Sequence, residues 1–256
     1  MIFAVIIFGI LIGSFSNVVI YRMPRKLSII KPGSHCVACN KEIKWHDNIP
    51  LISYVILKGK CRYCRERISL RYPLVEGLYG LLYGVSYLKF GLTVNLAFAL
   101  IFITIIVWIM FIDLDFHIIP DTLNISLFIL GIIRILYLFF RGDKNEIIIN
   151  VIGFIGGFLL LFIIRRIASM IYKREAMGYG DVKLLAGAGL NLGIYNILLS
   201  FGFSTIIGAI TALILLKFKK LSKGDEMAFG PFLVTGMIIS LFFGSDIISW
   251  YINLFV

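Results

Sequence analysis

The chain alternates long apolar runs with short polar connections that are mostly basic. Runs close to the bilayer-spanning length of about 20 residues fall at 2–21, 74–90, 92–112, 122–140, 147–164, 182–197, 198–217 and 231–255. This pattern predicts an all-α polytopic membrane protein with about eight transmembrane helices. The sixth run is the least apolar, because AGAGLNLG dilutes it. Between the first two runs the character changes: the segment is polar, carries Pro24, Pro32 and Pro50, shows no long helical period and reads as short strands and turns. The expected organisation is therefore a first transmembrane helix over 1–21, a small zinc-ribbon-like insert over 22–73 and a seven-helix membrane core over 74–256. No basic residue precedes the first run and no small-residue cleavage site follows it, so it is expected to be retained as an anchor. No internal repeat or low-complexity tail is apparent.

Composition agrees with the pattern. Hydrophobic residues make up 60% of the chain, above the roughly 45–50% of soluble domains. The net charge of +11 could point to nucleic acid, but its distribution points elsewhere. Twelve of the 25 Lys and Arg residues lie between Arg22 and Arg71. Other groups are Arg165, Arg166, Lys173, Arg174 and Lys183, then Lys217, Lys219, Lys220 and Lys223. The alternate connections hold only Lys89, and Arg141 with Lys144. With eight helices alternating across the bilayer, every basic cluster falls on one face, which the positive-inside rule makes cytoplasmic, with both termini outside. Topogenic charge accounts for the basicity, and no nucleic-acid partner is expected.

Four cysteines stand in the insert. CVAC at 36–39 and CRYC at 61–64 form two C-x2-C pairs separated by 21 residues. Each pair places two thiolates on one side of a tight turn, and two such turns supply a tetrahedral sulfur cage for zinc. Two disulfides are the alternative, against which the reducing side of the membrane argues. A metal would also stabilise a segment too small to bury a large core. Zinc held by Cys36, Cys39, Cys61 and Cys64 leaves no open position for water, so its role is structural, with His35 and His46 as bystanders.

Two carboxylates stand out once this topology is drawn. The third helix ends in FIDLDFHIIPD, bringing Asp113 to the cytoplasmic boundary, and the sixth begins there with Gly-Tyr-Gly-Asp181. Ionisable groups at such depths are costly and are functional candidates by default. Two carboxylates that approach closely share a proton, so one can activate water as a base while the other donates a hydrogen bond to a scissile carbonyl. Gly178 and Gly180, lacking side chains, would let an extended substrate backbone approach Asp181. The plainer reading makes Asp181 a helix N-cap and Asp121, after Pro120, a cap of the fourth helix. Asp115 is then a boundary residue, and His117, four positions past Asp113, lies in a solvated loop.

Taken together, GSFSNVVIYRMP (13–24), the paired knuckles within HDNIPLISYVILKGKCRYCRERISLRYPLVE (46–76) and CVAC, FIDLDFHIIPD (111–121), MGYGDVKLL (177–185) and FGPFL (229–233) resemble the type IV prepilin peptidases. These are multi-pass aspartic proteases of the bacterial cytoplasmic membrane, of the G-x-G-D type. The resemblance implies removal of a short basic leader from prepilins or pseudopilins at the cytoplasmic face, cutting after a glycine. It also implies methylation of the new amino terminus with S-adenosylmethionine. By motif match Asp113 and Asp181 are the catalytic pair, the four cysteines are the zinc ligands, and Gly59 corresponds to a glycine associated with methylation. Turn geometry before a knuckle explains a glycine at 59 equally well. A basic leader would be met by local acidic groups, Asp115, Asp121 and Glu76. The competing class is a non-enzymatic membrane scaffold whose zinc ribbon docks assembly proteins. The oligomeric state is not encoded in any pattern found.

Overall fold

The computed structural model describes residues 1–173, 177–218 and 227–254. Arg174, Lys219, Lys220 and Lys223 of the basic clusters lie outside these described residues. The helices are α1 (Ile2–Arg22), α2 (Ile52–Ile56), α3 (Arg71–Phe90), α4 (Val94–Phe116), α5 (Asp121–Arg141), α6 (Lys144–Tyr172), α7 (Tyr179–Leu192), α8 (Ile194–Lys217) and α9 (Gly230–Asn253). Among the described residues six of them, α1, α4, α5, α6, α8 and α9, are long and apolar enough to cross a membrane. The protein is an all-α, multi-pass membrane protein. The other two expected spans, α3 and α7, fall short of that measure, one by composition and one by length. Helix α3 carries Arg71, Glu76 and Lys89. Helix α7 has 14 residues, about 21 Å at 1.5 Å per residue, against a hydrocarbon core of about 30 Å. The apolar run predicted over 182–197 is broken at Gly193, where α8 begins.

The chain forms two compact units, residues 1–100 and 101–256. In the first, α1 packs along α3. A methyl group on Gly9 would fall 2.7 Å from the Tyr79 carbonyl oxygen, and one on Gly13 2.7 Å from the Glu76 α-carbon. Gly80 leaves equal room for Ile10 from the other side. Small residues four apart let two helices touch backbone to backbone where lipid offers no hydrophobic drive for association. The insert between these helices contains a 3₁₀ turn (Trp45–Asp47), α2 and two isolated antiparallel bridges, His35 with Glu42 and Lys60 with Arg67. The short strands expected there are reduced to these bridges among the described residues, because each pairing closes a knuckle and then stops.

In the second unit α7 is the hub: it touches α5, α6, α8 and α9. Its residues from Asp181 to Asn191 are buried with the exception of Lys183, the signature of a helix enclosed on nearly every side. The glycines that weakened its hydropathy are what permit this enclosure. A methyl on Gly189 would collide with the Gly153 carbonyl oxygen, and one on Gly157 of α6 would lie 2.7 Å from the Leu185 carbonyl oxygen. Asn191 fastens α7 to α5 by donating to the Leu127 carbonyl at 3.0 Å. Helices α8 and α9 are joined by a buried Ser200–Ser240 hydroxyl pair at 2.5 Å.

The α6–α7 seam makes a direct prediction. Gly189→Ala should lower unfolding stability in micelles by about 1–3 kcal/mol through overpacking. Gly202→Ala, where nothing lies within 4 Å of the added methyl, should be neutral or slightly stabilising. Equal melting curves for Gly189→Ala and the unmodified chain would contradict a rigid seam.

Candidate active site and metal centre

The insert is built from two copies of one turn. Cys36 and Cys61, like Cys39 and Cys64, are 25 residues apart, and the hydrogen bonds repeat at that offset. The Cys36 amide donates to the Lys41 carbonyl at 3.0 Å, and the Asn40 amide to the Cys36 carbonyl at 2.8 Å. In the second copy the Cys61 amide donates to the Glu66 carbonyl at 2.9 Å and the Arg65 amide to the Cys61 carbonyl at 3.1 Å. Asn40 and Arg65 occupy the same left-handed conformation, φ 56° and 61°. The sequence shows no repeat here because little beyond the cysteines is shared. The local duplication is in the backbone.

These turns bring all four sulfur atoms within 4.8 Å of one another, with Cys36 Sγ 3.8 Å from Cys64 Sγ. The cysteines are unbridged, so the disulfide alternative is set aside. Four thiolates around zinc at about 2.3 Å would stand about 3.8 Å apart, so the cluster could hold a tetrahedral metal ion. The Cys64 and Tyr63 amides draw the Cys61 thiol down to about 7, while burial and the neighbouring thiols push Cys64 up to about 12, so the four thiols do not ionise together unless a cation offsets their charge. A fork from Arg62 to Asp47, 2.6 and 2.5 Å, ties the second knuckle to the 3₁₀ turn and holds the Asp47 carboxyl below the usual carboxylate range.

Gly59 precedes the second knuckle at φ +65°. A methyl there would meet the Tyr54 hydroxyl at 2.8 Å. The space where its side chain would start is filled by the protein's own tyrosine, and its left-handed conformation is a backbone requirement that glycine meets. Glu76, expected among acidic groups for a basic leader, is buried in α3 and accepts the Leu51 amide at 2.8 Å. Its carboxylate anchors the insert to α3.

In the second unit Asp113 sits one turn before the end of α4 and is 5% exposed. Its Oδ2 accepts the Gly230 amide of α9 at 3.0 Å. Asp181 is 9% exposed, and its Oδ1 has no hydrogen-bond partner among the described residues. Both carboxylates lie in the second unit, Asp113 against the start of α9 and Asp181 in the first turn of α7, a helix that touches α9. Asp181 is not an N-cap: Gly178 occupies that position and no side-chain cap bond forms. A methyl on Gly178 would make only ordinary contact among the described residues, 3.8 Å from an oxygen of Asp181 and from the Gly180 amide nitrogen. Gly180 instead is pressed against Ile119, 2.9 Å from where its methyl would be. Gly180 therefore serves packing. Arg165 steadies the approach to this turn, donating to the Met177 carbonyl at 2.9 Å while its guanidinium stacks 3.9 Å above the Tyr179 ring. Its role in the sequence pattern was only that of a topogenic charge.

The remaining acidic candidates are at the surface. Asp115 is exposed. Asp121 is the first residue of α5, not its cap, and accepts Lys183 Nζ at 2.7 Å. His117 is exposed and follows the end of α4 with φ 54°.

Comparison with known proteins decides the family. The family description "Bacterial Peptidase A24 N-terminal domain" matches residues 7–90, and "Type IV leader peptidase family" matches residues 100–213. The chain is 33% identical to the prepilin leader peptidase/N-methyltransferase of Legionella pneumophila, over 96% of this chain and 93% of that one. The chain belongs to the type IV leader peptidase family. Similar relatives carrying the same name occur in Neisseria gonorrhoeae, 33% identical over 91% of this chain and 87% of that one, and in Bacillus subtilis, 32% identical over 97% and 96%. No solved structure matches the chain. Membership covers both units, since the first match, 7–90, lies in the unit 1–100 and the second, 100–213, lies almost wholly in the unit 101–256.

The sulfur geometry predicts that metal analysis of this leader peptidase relative, purified without chelator, returns one zinc per chain. Cys61→Ser should lose that zinc and the fold of the insert together. Full zinc content in the variant would contradict the four-thiolate cage.

Proposed function

We propose that this protein removes the basic leader from prepilin-like or pseudopilin-like substrates at the cytoplasmic face of the inner membrane, with Asp113 and Asp181 as the catalytic pair. The observation that carries the reading is two buried carboxylates in one unit, one of which has an oxygen without a partner among the described residues, in a chain of the type IV leader peptidase family. A buried polar atom without a partner is costly unless a ligand or water fills the role. With α3 and α7 counted as crossings beside the six long apolar helices, the basic connections fall on one face, and the positive-inside rule puts both termini outside and both aspartates at the cytoplasmic boundary.

In this mechanism one carboxylate takes a proton from water as its oxygen attacks the scissile carbonyl carbon. The protonated partner donates a hydrogen bond to the carbonyl oxygen. Collapse of the tetrahedral species breaks the C–N bond, and the amine nitrogen takes up the proton, leaving a free carboxylate on the leader and a new amino terminus on the pilin. Gly178, lacking a side chain beside Asp181, suits the close passage of a substrate backbone. Exposed Asp115, two residues from Asp113, is positioned to meet a basic leader. The zinc is structural, holding the insert in shape. Methylation of the new terminus is the second activity, and S-adenosylmethionine would supply the methyl group. Gly59 contributes to it through the shape of the knuckle, and no step is assigned to a cofactor contact there.

The relatives named prepilin leader peptidase/N-methyltransferase support both activities. A scaffold reading, with the zinc ribbon docking assembly proteins, leaves the unpartnered Asp181 oxygen without a purpose. Intact mass analysis of a prepilin incubated with the protein in nanodiscs separates the two. Loss of the leader mass, followed by gain of one methyl when S-adenosylmethionine is added, is expected. A prepilin that binds and keeps its leader would support the scaffold.

A further inference from the structure

The Asp113 carboxylate is held by an element 117 residues away in the chain. Gly230 is the first residue of α9, followed directly by Pro231. Its amide is one of the donors that a helix start leaves without an intrahelical partner, and the helix dipole points its positive end the same way. A methyl on this residue would fall 2.5 Å from Asp113 Oδ2, 3.1 Å from its Cγ and 3.4 Å from its Cβ. Gly230, Pro231, Leu233 and Val234 are all buried, which fixes this helix start against its surroundings.

We infer that Gly230 is a positioning residue for leader cleavage: its amide and its missing side chain set the rotamer and the hydrogen-bonding role of Asp113. The inference rests on the two-carboxylate reading and deepens it. An amide N–H can only donate, so Oδ2 of Asp113 is held as an acceptor. The proton shared by the pair is thereby steered to the other three oxygens, among them Oδ1 of Asp181, which has no partner among the described residues. Pro231 pre-sets the first turn of α9 and keeps the Gly230 amide aimed at the carboxylate. This gives the FGPFL stretch a chemical task that its apolar character does not suggest.

The test compares two glycine-to-alanine changes on the same helix. Gly236 lies on α9 away from Asp113, and a methyl on it would collide with the Ser200 carbonyl oxygen, so Gly236→Ala is a pure packing insult. Leader cleavage is followed in nanodiscs with Asp113→Asn as the floor. Gly230→Ala should lower kcat by about 100-fold, the scale of a catalytic group displaced by about 1 Å, with KM within about twofold of the unmodified protein. Gly236→Ala should lower the melting temperature while the folded enzyme keeps its kcat. Pro231→Gly, which retains the amide but loosens its aim, covers the case in which Gly230→Ala fails to fold, and should also lower kcat at unchanged KM. Unmodified kcat in Gly230→Ala, or in Pro231→Gly where only that variant folds, overturns the inference. So does an equal loss of kcat in Gly236→Ala. A floor variant that still cleaves would instead overturn the two-carboxylate reading itself.

Discussion

The Gly153 carbonyl and the Gly189 α-carbon meet at a distance that admits no side chain, and this backbone contact determines where Asp181 stands. Helix α7 has only 14 residues and is enclosed by four other helices. Only glycine and alanine over most of one turn, 186–189, allow so many neighbours to close on a single helix. In lipid the drive for such packing is dispersion and backbone contact, not the exclusion of water. The fit must therefore be tight to be stable. A carboxylate at the first turn of this helix inherits that rigidity, which is what a catalytic group requires.

The same enclosure creates the chemistry. Burial strips solvent from Asp113 and Asp181 and leaves one oxygen partnered by the Gly230 amide and another by nothing among the described residues. That asymmetry distinguishes the two acids, since one is oriented by a backbone amide and the other is not. The first unit solves a different problem. Its insert has little apolar interior and is organised by four thiolates, a guanidinium fork and the buried Glu76 that accepts the Leu51 amide. Shape there comes from polar and metal-ligand geometry, whereas in the second unit it comes from glycine.

Much of this was legible in the chain. The apolar runs marked the long helices, the C-x2-C pairs marked the sulfur cage, and Asp113 and Asp181 stood out as charges at the edges of apolar segments. The break at Gly193 was hidden because the runs on either side are both apolar, and periodicity alone cannot see a turn between them. The fate of Glu76 and Gly230 was hidden for a different reason: each is defined by a partner far away in sequence, Leu51 in one case and Asp113 in the other. The close helix seams carried a signal that was present but unused, since Gly9 with Gly13, Gly80 with Gly84 and Gly153 with Gly157 all have the G-x-x-x-G spacing of touching membrane helices. The doubled knuckle had no such signal beyond its cysteines.

The most direct test of the paired-carboxylate account is the kcat/KM for leader cleavage of Asp113→Asn, Asp181→Asn and the double variant. If the two groups act as one unit, each single substitution removes nearly all activity and the double variant is no worse than either single, since residues of one catalytic unit are grossly non-additive. Near-normal cleavage by either single variant, or losses that multiply in the double, would contradict it.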